Sequence, residues 1–218
     1  TDAICPEVIA KAAAARSEKP LLVGPTFNVG CAQHHLGFAG TITLRPSTMM
    51  AAINDWCASL RQHGFRRIYW LNGHGGNVAT IGAAFAEVYA ERSLEGSEPL
   101  RPELTLKQKN WWELAGVPAI CQQLHPSHDG FHATASEVAE PYAAYTEQVR
   151  EVEMQPRVAP IASFTDAKNY RATFPDGRIG SDPSQATPEN GQRIIDVAAK
   201  ALVADFDSFD RGAMQRES

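Results

Sequence analysis

The chain has 218 residues, 44% hydrophobic and 21% charged, a balance that suits one soluble globular domain, or at most two, with a core large enough to need no disulfides. Its net charge is −5 and no basic run stands out, which argues against a nucleic-acid partner. The longest apolar stretches fall well short of the roughly 20 residues that span a bilayer, so no membrane partner is expected. The four cysteines, Cys5, Cys31, Cys57 and Cys121, lie far apart and form no C-x-x-C pair. They read as free packing thiols of a reducing, cytoplasmic compartment.

In chain order, Asp2 to about Ser17 is alanine-rich, with Ile4, Val8, Ile9 and Ala12 at helical spacing and Pro6 tolerable in a first turn. Leu21-Leu22-Val23 reads as a strand. Gly24 to Thr41 is a long loop of small residues containing His34-His35, and Thr41 to Leu44 reads as a short extended segment. Ser47 or Thr48 can cap a helix to about His63, with Met50, Ile53, Trp56, Cys57 and Leu60 on its apolar face and Gly64 after its end. Ile68 to Leu71 is a short apolar run suited to a buried strand. Asn72-Gly73-His74-Gly75-Gly76-Asn77 breaks it, and a helix follows from Val78 to about Arg92 with Ile81, Phe85, Val88 and Tyr89 inward.

Leu104 to Trp111 alternates as a strand does, and Gly116 to Gly130 reads as irregular, with turn chemistry at Ser127-His128-Asp129-Gly130. A helix is expected from near His132, kinked or ended by Pro141. Met154 to Asp182 reads as loop. Thr187-Pro188-Glu189 starts a last helix that runs to about Phe206, followed by a frayed tail from Arg211. Strands alternating with helices predict an α/β fold with a largely parallel sheet.

Chemistry in open α/β sheets sits outside the carboxyl ends of the strands, which is where His74 falls. The same pattern also fits a plain strand-to-helix turn with an exposed histidine. His125-x-x-His128 has the spacing of a metal pair but lies in a segment of unconstrained geometry, and His63 fits a helix end. Glu137 lies in a run of small and apolar residues. It is either a surface carboxylate on a half-exposed helix or a buried one, and a buried carboxylate needs a partner such as a cation.

Several of these stretches together resemble the creatininase (creatinine amidohydrolase) family. Asn72 to Asn77 is similar to its NGHGGN signature, and His132-Ala133 with Glu137 five residues after the histidine is similar to its second signature. Phe38-Ala39-Gly40-Thr41 resembles an F-P-G-T segment with alanine in place of proline. Gly64-Phe65-Arg66-Arg67 and Gly180-Ser181-Asp182-Pro183 also fit, so the resemblance spans nearly the whole chain.

The resemblance implies a three-layer α/β/α sandwich over residues 1–218 and two divalent metals, zinc first, with manganese or iron as alternatives. It implies hydrolysis of a C–N bond in a small amide, cyclic amide or formamide, and a homo-oligomer, commonly a hexamer. It implies metal ligation by Asp2, His74 and Glu137, with His132 as the proton donor. Apart from the resemblance, the backbone N–H groups of Gly75 and Gly76 are placed to face an oxyanion, and the His34-His35 loop and the stretch from Trp111-Trp112 to Asp129 are the candidate walls of the substrate pocket. Two departures follow from the same resemblance. Gly76 stands where creatininase proper has a glutamate ligand, and the chain begins at Thr1-Asp2, just past the place of the family's first strand and its E-x-H-G signature. Weak or single-site metal binding is therefore expected of the chain as given. The other readings are a catalytically impaired member that serves as a binding or assembly module, and a phosphate-binding α/β domain, which lacks both G-x-G-x-x-G and a Walker pattern.

Overall fold

The computed structural model describes residues 3–94, 104–149 and 152–217. Its centre is a parallel pair of strands, β1 (Arg67–Asn72) and β2 (Thr105–Asn110), in register from Arg67 beside Thr105 to Asn72 beside Asn110. The connection between them contains α3 (Val78–Leu94), as a parallel pair requires.

Side chains alternate across β1, and this produces three layers. Ile68 and Trp70, with Leu106 of β2, pack on α3 and on α2 (Pro46–Gln62), where Met49, Ile53, Cys57, Ile81, Ala84, Phe85 and Val88 are buried. Tyr69 and Leu71 face the opposite side. There they meet α1 (Ile4–Arg16), α4 (Val117–Leu124), α5 (Ala135–Ala144) and α7 (Pro188–Glu217). The expected α/β/α layering is therefore present, with two strands among the described residues.

Several boundaries differ from expectation. Leu21-Leu22-Val23 is not a strand: Leu22 is 77% exposed, and no described strand pairs with this segment. A β-ladder needs a partner, whatever the residues' propensity. Helix α2 starts at Pro46 with Arg45 at its N-cap and no side-chain cap, so neither Ser47 nor Thr48 serves. Proline fits that first turn because its missing N–H has no partner there in any case. Met49 rather than Met50 is the fully buried methionine, in line with Ile53 and Cys57 four and eight residues on. Burying side chains of this kind contributes about 1.5–3 kcal/mol each, which outweighs the ~1 kcal/mol of a cap. Tyr89 is 37% exposed rather than inward, and its hydroxyl accepts from the Leu106 N–H.

The stretch from Gly116 is not irregular throughout. Gly116, at φ +83°, leads into α4, and Pro118 occupies its first turn. Helix α5 starts at Ala135 after Thr134 and runs through Pro141. That proline lacks the N–H that would bond to the Glu137 carbonyl, and the Cys5 thiol donates to this carbonyl instead at 3.5 Å. The segment from Met154 to Asp182 contains α6 (Ala167–Thr173), capped by Asp166, whose side chain accepts from the Asn169 N–H. Helix α7 is longer than expected and continues through Glu217. It approaches α5 at Gly191, where a Cβ would stand 1.9 Å from the Ala139 carbonyl oxygen.

Candidate active site

The loop after β1 is stitched by its own asparagines. The Asn72 amide donates to the His74 carbonyl at 2.8 Å, and its Oδ1 accepts from the His74 N–H at 3.2 Å and from the Asn77 amide at 3.3 Å. Asn72 also donates to Asn110 Oδ1 at 2.8 Å, which ties the ends of both strands together. Asn77 Oδ1 accepts from the Cys31 N–H at 2.8 Å, strapping the loop to the chain before His34. His74 is buried, and its Nε2 lies 3.2 Å from the Cys31 carbonyl. A carbonyl only accepts, so Nε2 carries the hydrogen in this contact. Gly76 makes this approach possible, since a Cβ there would lie 2.4 Å from the Cys31 oxygen and 2.6 Å from His74 Nε2.

Four imidazoles gather at this end of the sheet. His34 and His35 lie on a short 3-10 turn, Gln33–Gly37. The ring of His34 is 5.9 Å from that of His74, and the ring of His35 is 6.1 Å from His74 and 4.5 Å from His132. Tyr170 of α6 backs both, at 5.2 Å from His34 and 4.9 Å from His35.

His132 sits in a contorted loop, with His128, Gly130 and Ala133 all at positive φ. A non-glycine residue in that region is held there by its surroundings. Here the surroundings are the antiparallel bridge between His132 and Ile179 and the bond from Ser181 Oγ to the His132 carbonyl at 2.8 Å. Thr134 then caps α5, accepting the Glu137 N–H at 2.9 Å, and Asp129 Oδ1 accepts the Ser136 N–H at 2.8 Å. The Thr-x-x-Glu spacing of a capping box was present in the sequence and would have placed this start.

His74, Gly75, His132 and Glu137 line one cavity of about 430 Å³, together with Trp111, Trp112, Cys121, Gln122 and Asp129. His34 and His35 are not on its wall but stand beside His74 and His132. Gly76 faces Cys31 rather than the cavity, and Asp2 lies outside the described residues. The His125–His128 pair does not form: His125 is buried and His128 exposed.

His125 belongs instead to a buried network that the sequence does not announce, because its four members come from four segments. Its Nδ1 is 2.9 Å from Ser136 Oγ, which donates to Asp129 Oδ2 at 2.9 Å, and its Nε2 faces the Asn190 amide at 3.3 Å. Burial holds the His125 pKa below the usual histidine value. Ser136 is 2% exposed and gives its proton to a carboxylate, so this trio is not arranged as a nucleophile and its base. One turn beyond Glu137, Glu140 is fully buried beside the Cys5 thiol. Burial pushes its carboxyl pKa up to about 8 and raises that of Cys5 as well.

Imidazole nitrogens with carboxylate oxygens are the donor chemistry of zinc or manganese rather than of a thiolate-selective metal. Among the described residues no three such side chains are already drawn together around one point. The His74 imidazole and the Glu137 carboxylate share one cavity, and their donor types suit part of the shell of a divalent cation.

The creatininase (creatinine amidohydrolase) family profile matches residues 1–206. Creatinine amidohydrolase of Pseudomonas putida is 25% identical over 213 residues, covering 92% of this chain and 79% of that protein. Among solved structures, a point mutant of creatininase in its zinc–zinc form superimposes with a TM-score of 0.76 at 23% identity, covering 95% of this chain and 82% of the other. A manganese creatininase gives 0.71 at 24% identity with the same coverage.

Proposed function

That the chain belongs to the creatininase family is the premise from which we propose its chemistry. It is a metal-dependent amide hydrolase. We infer that residues 1–218 form a single domain of this family and that the substrate is a small amide, cyclic amide or formamide. The observation that carries this reading is the convergence of His74, from the loop after β1, with His132 and Glu137, from the start of α5 and the loop before it, on one cavity of about 430 Å³.

His74, Glu137 and Asp2 would hold a divalent cation, zinc first and manganese or iron next. Bound there, the metal supplies an activated water and polarises the amide carbonyl. The chain's own residues do the rest. His132, half-buried on the cavity wall, delivers a proton to the departing nitrogen, a task suited to a group whose ordinary pKa is near 6.5. The hydrogen bond from Ser181 to the His132 carbonyl and the Ile179 bridge fix the backbone from which that imidazole reaches. Gly75, which adds no side chain to the wall, leaves its backbone N–H available to the developing oxyanion. Gly76 contributes by letting the loop close on Cys31. His34 and His35 pack on the sides of His74 and His132 and limit their rotation. Trp112 and Phe131 add aromatic surface to the pocket.

The protein is further proposed to be cytoplasmic and homo-oligomeric, with the family's hexamer as the expected form. Four free cysteines support the first, and Leu22, Leu36 and Ile42, each more than half exposed, support the second. No described helix is long and apolar enough to cross a membrane.

The test is hydrolysis of a panel of small cyclic amides and formamides by the chain, with zinc, manganese or iron added. Metal-dependent release of the amine from at least one member is expected. His132→Ala should suppress turnover while metal content stays at the wild-type level. Loss of metal in that variant would move His132 from proton donor to ligand.

A further inference from the structure

Three irregular stretches of chain lie side by side: residues 128–132, 178–182 and 156–160. The middle one bonds to both of the others. On the side of His132, the Phe131 N–H donates to the Ile179 carbonyl at 2.9 Å, the Ile179 N–H to the His132 carbonyl at 3.3 Å, and the Asp182 N–H to the His128 carbonyl at 2.8 Å. On the other side, the Ala159 N–H donates to the Ser181 carbonyl at 3.0 Å and the Gly180 N–H to the Pro160 carbonyl at 2.9 Å. The pairing of His132 with Ile179 is an isolated bridge, so the stack lacks the repeating ladder that holds a sheet.

Arg178 supplies what a ladder would. It is 3% exposed, and each of its five side-chain N–H groups meets an acceptor. Nε and Nη2 donate to Asp176 Oδ2 at 2.9 and 2.6 Å, Nη2 also to the Pro156 carbonyl at 2.6 Å, and Nη1 to the carbonyls of Arg157 at 2.7 Å and Ser181 at 3.2 Å. A planar fork fixes three backbone oxygens relative to one another, and an ammonium with three donors cannot reproduce it. A cation buried this far is costly unless fully bonded, so each of these carbonyls is held in place. Ser181 passes the constraint on: its carbonyl accepts from Arg178, and its hydroxyl donates to the His132 carbonyl at 2.8 Å.

We propose that Arg178 is a positioning residue for the reaction: through Ser181 and Ile179 it sets the backbone from which His132 reaches the departing nitrogen. The proposal rests on the reading of His132 as the proton donor of an amide hydrolase. Arg178 itself does not line the cavity, so it acts only through His132. His74 sits on the other loop, with its own bonds to Asn72 and Cys31, and is untouched by this stack. Disturbing Arg178 therefore slows proton delivery and spares metal binding. Proton delivery matters most where the leaving nitrogen is a poor leaving group, so the effect is graded by substrate.

Arg178→Lys keeps the charge and offers three donors in place of five. Amide hydrogen exchange, zinc content and turnover of the full chain are compared with the wild type. Exchange at Phe131 and Ile179 should be at least about tenfold faster in the variant, with the Cys31 N–H, bonded to Asn77, unchanged. Zinc content should stay at the wild-type level. Turnover of formanilide should fall about tenfold or more, and that of 4-nitroformanilide, whose amine leaves with little need of a proton, by no more than about twofold. Asp176→Asn, at a side chain 40% exposed, keeps one oxygen acceptor for the guanidinium and should move the same readouts in the same direction by less, so the test does not depend on the lysine variant folding. Wild-type exchange at Phe131 and Ile179 in both variants would overturn the proposal. An equal fall in turnover of the two anilides would overturn it too, because it marks a general loss of structure. Absence of amide hydrolysis by the wild type with every added metal would count against the hydrolase reading, and exchange would still decide whether Arg178 holds His132.

Discussion

The loop after β1 is shaped mainly by its own residues, whereas the loop before α5 is shaped by residues far away. Asn72 and Asn77 set the path of Gly73 to Gly76 within six residues of chain, with further ties to Cys31 and Asn110. His132, by contrast, depends on Ile179 and Ser181, and the start of α5 on Asp129, with His125 and Asn190 behind it. Both loops deliver a histidine to the same cavity. The first is a local solution that tolerates change elsewhere in the molecule. The second lies open to any substitution that moves α5 or its neighbours.

That contrast can be broken or sharpened by mutation, and the largest effect is expected where α5 meets α1. Glu140 has a folded pKa of about 8 against a reference of 4.5, because burial disfavours its charge. The folded state therefore holds a proton that the unfolded state releases. Stability from this group is fully present below about pH 4.5, declines as pH rises, and is lost above about pH 8. The loss is on the order of 5 kcal/mol. Glu140→Gln should flatten the fall in denaturation midpoint between pH 5 and about 9, as followed by urea melts across that range.

Next comes Gly191→Ala. A Cβ 1.9 Å from the Ala139 oxygen must push α7 off α5, at a cost of about 1–3 kcal/mol in thermal or urea unfolding. If the α5 side of the cavity is the borrowed one, turnover should fall together with stability. On the other loop, Asn77→Ala leaves the Cys31 N–H without its acceptor, a loss of about 1–3 kcal/mol that should weaken metal binding more than it slows proton transfer. The smallest effect is expected of Ser181→Ala, about 1 kcal/mol of stability. It removes one anchor of the His132 carbonyl while the Ile179 bridge stays, so kcat should drop severalfold with metal content unchanged. If Asn77→Ala disturbed His132 and Ser181→Ala disturbed the metal, the two loops would not be the separate constructions described above.

The same contrast explains what could be read from the amino-acid sequence. The layers, both strands and the glycine loop were legible because each is encoded within a few residues: an apolar run, an Asn-Gly break, a helical stripe. His74, His132 and Glu137 were singled out by motif spacing, and all three line one cavity. Helix α4 was missed because it is eight residues long with a proline in its first turn, which reads as interruption. Pro141 reads as a kink or end because the donor that replaces its missing N–H, Cys5, lies 132 residues before the Glu137 carbonyl it bonds. Leu21-Leu22-Val23 had strand propensity without a strand to pair with. The Asn190–His125–Ser136–Asp129 network could not be read at all, since nothing in the spacing of those residues brings them together.

Zinc titration of the wild-type chain, His74→Ala and Glu137→Ala, with bound metal counted and amide turnover measured on the same samples, decides whether this cavity is the metal centre. Each variant should bind less metal than the wild type and lose turnover by more than the roughly 10–100-fold that follows removal of an outer-shell partner. Wild-type metal content in both variants would contradict the placement of the metal centre in this cavity.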